Sequence, residues 1–195
     1  MAALTDDDKE DVLLAGRYGD LDDIQQFVAK FGAEPLADIR DDNENCILHM
    51  VCGNGHLDVL DYLLPLVPPS LLAAQNSARS TPLHWAALNG HLAVMQKLVE
   101  FPGGPGIDLI DAKNAAGRSP LGEAELAGWD EGAAWLVKMM NLDTEVGEKE
   151  KNGDAEEEAD IDGPLAQQDI EVEIEDAEGQ VAKMTISGGH GARSS

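Results

Sequence analysis

Four histidines in two pairs carry the clearest chemical pattern in the chain: His49 with His56, and His84 with His91, each pair seven residues apart. Imidazole nitrogens suit zinc, which would need these rings to converge with a carboxylate or thiol. Cys46 and Cys52 are the two thiols, six apart in one apolar segment. In a reducing compartment they stay thiols and read as small core residues. Glu123 and Glu125 form a carboxylate pair, but among 38 acidic residues such a pair carries little signal. His190, in SGGHGARSS, has no partner near it in sequence. There is no G-x-S-x-G, P-loop or H-E-x-x-H. The glycines of FPGGPGIDL read as a turn insertion, because the strand before and the helix after that a phosphate cradle requires are missing. The expectation is a chain that is not an enzyme, with no catalytic, cofactor-binding or metal-binding residue.

The elements that hold these histidines explain their spacing. NCILHMVCGNGHL (45–57) and STPLHWAALNGHL (80–92) are nearly one phrase written twice. Aligned on the glycine before the second His, Gly19, Gly55, Gly90 and Gly128 recur at 36, 35 and 38 residues. Within each frame apolar residues fall at helical spacing, as in Leu57, Leu60, Leu63 and Leu64, and again in Leu92, Met95, Leu98 and Val99. A period of this size predicts a solenoid, in which one unit's exposed apolar face is covered by the next. Thr81 can cap a helix whose first turn holds Pro82. Ala86 and Ala87 let helices approach, and Gly90 permits a tight turn.

These residues resemble ankyrin repeats, whose pattern of T-P-L-H, two alanines, G-H and a Leu-rich second helix is close to TPLHWAALNGHLAVMQKLV (81–99). The unit at 41–64 puts Cys46 and Ile47 where the family has Thr and Pro, which predicts the same fold with a weaker cap. The last unit, from Asn114, keeps Ser119, Pro120, Leu121 and Gly128 but places Gly122 and Trp129 at the histidine positions, as a terminal unit would. LLAGRYGDLDDIQQFV, from Leu13, lacks T-P-L-H and suits an N-terminal capping unit. The resemblance implies an all-α stack of about four helix-turn-helix units. It also implies that the histidines tie loops to neighbouring backbone and do not bind metal. Trp129 and Trp135 read as packing residues; Trp85, on the first helix of its unit, is placed by the resemblance on the inner groove beside Leu88 and Asn89.

Charge divides the chain differently. Its net charge is −25, with 22 acids against 9 bases up to residue 142 and 16 against 4 from 143 onward. The expected organisation is an acidic N-terminal extension over 1–11, a repeat domain over 12–142 and an acidic C-terminal tail over 143–195. The tail is too poor in apolar residues to order itself. Within it, Ile170, Val172 and Ile174 alternate with Glu171, Glu173 and Glu175 before DAEGQ, predicting a hairpin over 169–187. The acidic start is unlike a secretory or mitochondrial signal, and no run is long and apolar enough to span a bilayer, so a cytoplasmic and nuclear location is expected.

A surface this acidic repels nucleic acid and anionic membranes, leaving a basic protein as the expected partner. Ordinary solubility of a small domain needs a net charge of only about 2 to 8. Acidic candidates cluster at Asp20, Asp22 and Asp23, at Asp41, Asp42 and Glu44, and at Asp108 and Asp111. Groove candidates are Asn43, Asn45, Asn54, Ser77, Ser80, Trp85, Asn89 and Arg118. In length, acidity and architecture the chain resembles the fungal ankyrin-repeat chaperones dedicated to small-subunit ribosomal protein three, a KH-domain protein. That resemblance implies a monomer that shields the RNA-binding surface of one new ribosomal protein for ribosome assembly. A histone-type chaperone and an ankyrin adaptor or inhibitor of a regulatory protein are the alternatives.

Overall fold

The computed structural model describes the backbone of residues 3–151, 170–175 and 181–186, and the side chains of 3–140. The chain divides into two units, 1–153 and 154–195.

The first unit begins earlier than composition suggests. Helix α1 spans Asp6–Tyr18, so the stretch expected as an extension over 1–11 is largely helical. The reason is a capping box: Asp8 accepts the Thr5 backbone N–H at 3.0 Å while the Thr5 hydroxyl accepts that of Asp8 at 3.2 Å. Asp6, Asp7 and Asp8 also sit at the positive end of the helix dipole. The hydrogen bonds from Thr5, then the one from Lys30, hold the Asp8 carboxyl down to about 2.

After α1 come α2 (Leu21–Phe31), α3 (Ile47–Asn54), α4 (Leu57–Leu63), α5 (Pro82–Leu88) and α6 (Leu92–Val99), then the single turn α7 (Asp108–Asp111), α8 (Pro120–Leu126) and α9 (Asp130–Lys151). Helices α1, α3, α5 and α8 stack one on the next, and each also packs on the helix that follows the tight turn of its unit, α2, α4, α6 or α9. Short turns at Glu34–Ala37, Pro69–Ala73 and α7 close the first three units. The core runs unbroken through the stack, with Leu48, Val51, Leu60, Leu83, Met95 and Leu98 fully buried. Each such side chain contributes roughly 1.5–3 kcal/mol.

The turn between paired helices shows why Gly and His travel together. Gly55 adopts φ +79°, and a Cβ there would lie 2.6 Å from His91 Nδ1 of the next unit. Gly19 meets His56 in the same way. In the fourth unit Trp129 takes the histidine's place and lies over Gly90, so that departure from the pattern keeps the contact.

Helix α9 continues past the boundary expected at 142 and ends at Lys151. In the second unit β1 (Ile170–Glu175) pairs antiparallel with β2 (Val181–Ile186), with Ile170 opposite Ile186 and Val172 opposite Met184. The disorder expected of the tail, and His190, fall at 152–169, 176–180 and 187–195, outside the described residues.

Candidate partner-binding surface

Three loop tips, 41–45, 76–80 and 114–118, project from the stack with one construction. In each, the first residue's backbone N–H bonds the carbonyl of the fifth: Asp41 to Asn45, Asn76 to Ser80, Asn114 to Arg118, at 2.9 to 3.0 Å. The first residue's side-chain oxygen also accepts the backbone N–H groups two and four positions on. Asp41 Oδ1 takes Asn43 and Asn45, Asn76 Oδ1 takes Ala78 and Ser80, and Asn114 Oδ1 takes Ala116 and Arg118. This is the side-chain mimicry of a turn at which Asx residues excel. The fourth residue is left-handed each time: Glu44 at φ 61°, Arg79 at 57° and Gly117 at 75°.

The tips are fastened to one another. Ser77 N–H donates to the Asn43 carbonyl at 2.9 Å, Ala115 N–H to that of Ala78 at 2.8 Å, and Asn76 Nδ2 to Asn45 Oδ1 at 2.8 Å. The T-P-L-H-type histidines add the next layer. His49 Nδ1 accepts the Cys46 backbone N–H at 3.2 Å, so the ring proton is on Nε2, which donates to the Ser80 carbonyl at 2.9 Å. His84 repeats the arrangement between Thr81 N–H and the Arg118 carbonyl, both at 3.1 Å. Each therefore ties its helix start to the tip of the following unit. The fourth unit has no following tip among the described residues, so Gly122 at that position gives up only the ring's bond to the N–H of its own helix start. The G-H histidines tie backward, His56 Nε2 to the Arg17 carbonyl and His91 Nε2 to that of Gly53. Burial lowers His49 to about 4 and lowers His84 as well, keeping both rings neutral. Among the described residues no group of three His, Cys, Asp or Glu could hold a metal. Burial likewise raises the Cys46 and Cys52 thiols, which are free and wholly inside the core.

Beside the first tip the inner helices form a hollow. Asp41, Asn43 and Asn45 line it from the tip, Met50 and Asn54 from α3, and Trp85 and Asn89 from the third unit, with Arg17 and Gly53 completing it. Trp85 is half-buried, edge-on to His49 with centroids 5.7 Å apart, and its six-membered ring covers Gly53. Asn89 Nδ2 donates to the Gly53 carbonyl at 2.7 Å and Asn54 Nδ2 to that of Met50 at 2.7 Å. Their side-chain oxygens are left to accept from a ligand.

The candidates from sequence thus separate by role. Asp42, Asn43, Glu44 and Ser77 are exposed on the tips, and Asn54, Trp85 and Asn89 share the hollow. Asp41 is a builder of its tip, since its carboxylate accepts three N–H bonds, one from Asn45 Nδ2. Asn45 is 4% exposed and structural. Ser80 offers its carbonyl to His49, and Arg118 reaches Glu123 at 3.0 Å. Asp111 ends α7 just before the last tip, whereas Asp20, Asp22 and Asp23 start α2 at the turn between helices, in no tip. Sequence reasoning passed over Met50, Arg17 and Gly53. It also passed over Glu123, which is 5% exposed and accepts both Arg118 Nε and Asn114 Nδ2. The register of Asn114 against Asp41 and Asn76 was the available signal for it.

Comparison with known proteins agrees with this architecture. The family described as ankyrin repeats in three copies matches residues 12–111. An ankyrin repeat-containing protein of Schizosaccharomyces pombe is 34% identical over 151 residues, covering 76% of this chain and 95% of its own. Protein ACCELERATED CELL DEATH 6 of Arabidopsis thaliana is 37% identical over 65 residues, 33% of this chain and only 10% of that protein. A chain from the crystal structure of the yeast ribosomal protein Rps3 in complex with its chaperone Yar1 superposes with a TM-score of 0.64 at 27% identity. That superposition covers 70% of this chain and 95% of the other. The fold is a protein-interaction module, and with its tips, tight turns and histidine ties repeating in register, the chain belongs to the ankyrin-repeat family.

Proposed function

We propose that this protein is a dedicated chaperone of a basic small-subunit ribosomal protein, of the ribosomal protein three class, and has no catalytic activity. The observation that carries the reading is the first loop tip. Asp42 and Glu44 stand exposed on a rigid turn, with no cation paired to them among the described residues, beside a hollow floored by Trp85 and amide oxygens. Supporting it are the net charge of −25 and the superposition on a chain of an Rps3–chaperone complex.

The mechanism follows from charge. A new ribosomal protein carries basic surface meant for RNA and aggregates while that surface is bare. The acidic tips and tail attract it and raise the on-rate, and the hollow adds shape recognition. Ribosomal RNA, with its denser charge, then takes the cargo over. The proposal places the protein in cytoplasm and nucleus, bound one to one, away from nucleic acid and membrane.

The test is turbidity of purified small-subunit ribosomal protein three at physiological salt, with and without an equimolar amount of this chain. Suppression by the parent chain, weakened by Asp42→Lys with Glu44→Lys, supports the reading. Aggregation that proceeds unchanged refutes it, and a histone dimer that displaces the ribosomal protein at equal concentration would move the assignment to histones.

A further inference from the structure

Among the described residues, the first helix pair of the stack leaves one face uncovered. Helix α3 is covered on one side by α1 and on the other by α5, whereas among the described residues α1 packs chiefly on α2 and α3. Helices α1 and α2 form a hollow with an apolar floor: Val12, Leu14, Ala15 and Tyr18 from α1, Phe27 and Phe31 from α2. Leu14 is 39% exposed and Tyr18 74%. An end unit of a solenoid ordinarily turns a polar face outward, and this one keeps an apolar one. Around that floor stand Asp8 and Asp11 on α1, Asp20 just before α2 and Asp23 on it. Lys30 is the one cation in the lining, and it is paired to Asp8 at 3.0 Å.

We infer that this hollow is a docking groove for a basic amphipathic helix of the partner protein, seated against α1 and α2. The groove runs between two helical ridges, Asp11, Leu14 and Tyr18 on one and Asp23, Phe27 and Lys30 on the other, at the three- and four-residue spacings that receive a helix. An apolar stripe on the incoming helix would cover Leu14 and Tyr18. Lys and Arg along its flanks would meet Asp11, Asp20 and Asp23, none of which has a salt-bridge partner among the described residues. Tyrosine is well suited to the centre of such a contact, having large area and few torsions to fix. The inference rests on the preceding section only for the partner's basic character.

The probe is an eighteen-residue peptide of Leu and Lys with leucines at helical spacing, against a scrambled peptide of the same composition. Both are titrated into the isotope-labelled full-length chain at physiological salt. The expected result is at least about tenfold tighter binding of the striped peptide, with shift changes at Leu14, Tyr18 and Phe27. Tyr18→Ala with Leu14→Ser should remove that preference, and circular dichroism checks that the variant is folded. Asp42→Lys should leave it in place. Equal binding of the two peptides, or shifts confined to the loop tips and the acidic tail, overturns the inference. Capture of the ribosomal protein with no preference for the striped peptide would sink this groove and leave the chaperone reading standing. A striped peptide seated in the groove of a chain that ignores the ribosomal protein would do the reverse.

Discussion

Protonating His49 should unfold the protein from within. The ring is wholly buried, its Nδ1 accepts the Cys46 N–H and its Nε2 donates to Ser80. A second proton would remove the only acceptor site and leave two N–H groups facing each other in the core. Burial is the main cause that lowers this histidine from 6.5 to about 4, and Arg40 and His84 lower it further. The Ser80 carbonyl and the Asp41 carboxylate work the other way. Because the folded value lies below the unfolded one, the unfolded state binds the proton more tightly. The stabilisation is complete above about pH 6.5 and is lost as pH falls towards 4. For a shift of this size the loss is about 2 kcal/mol at pH 5 and about 3 kcal/mol at pH 4, from about 1.36 kcal/mol per unit. Asp8, held near 2, does not titrate in this window.

The assay is urea unfolding followed by circular dichroism from pH 7 to 4.5, on the parent chain and on His49→Gln, which can still accept and donate at both ends. Neutralising some of the 38 carboxylates relieves repulsion in both proteins, so the difference between them isolates the imidazole. The gap in stability should narrow by about 2 kcal/mol between pH 7 and pH 5. A gap that stays constant would refute the claim that this ring is neutral because it is buried.

Other perturbations bear on single contacts. Gly53→Ala places a Cβ 2.6 Å from Trp85 Cε3, so the indole must move; a loss of about 1–3 kcal/mol and a shifted Trp85 indole N–H resonance are expected. Gly117→Ala should cost about 1 kcal/mol in thermal or urea unfolding, from its φ of 75° alone, since nothing lies within 4 Å of the added carbon, and Gly117→Asn should cost less. Asp41→Ala should cost about 1–2 kcal/mol of stability by removing the acceptor of three N–H donors, the Asn43 one open to water, whereas Asp42→Ala should leave stability unchanged and slow only the capture of a basic partner, as read by stopped-flow. Removing 154–195, with its twelve acids and two bases, should flatten the salt dependence of that capture; a cut at 142 would sever α9 and confound the result.

The repeat was legible because its cause is local. Thr81-Pro82 starts a helix and Gly90 ends the turn after it whatever surrounds them, and a period of 35 to 38 residues survives the loss of individual letters. The first helix was misplaced because an acidic run reads as a solvated extension until Thr5 and Asp8 are recognised as a capping pair. The length of α9 was hidden for the opposite reason: residues from Asp143 look polar and tail-like, yet Glu145, Glu148, Lys149, Glu150 and Lys151 are good helix formers, and α9 runs on to Lys151. In the site, the residue types were visible but their duties were not. Asp41, Asp42 and Glu44 are three neighbouring acids, and nothing in their order tells that the first spends its carboxylate inside the turn. Glu123 was indistinguishable from Glu125 until Asn114 and Arg118 were brought to it.

That division of labour bears on how the protein can be both charged and selective. The side chains that build the tips, Asp41, Asn45, Asn76 and Asn114, are committed inward, as are His49 and His84 behind them. What remains outward stands on a backbone already held by these bonds, so little backbone entropy is left to lose at this surface on binding. The acidic tail has the opposite character in sequence, dense in charge and poor in apolar residues. Screening acts on these two contributions unequally: long-range attraction decays within about 10 Å at 0.1 M salt, while contact with Trp85 and the amide oxygens does not. A partner that matches only the charge should therefore leave as salt rises, and one that also fills the hollow beside the first tip should stay.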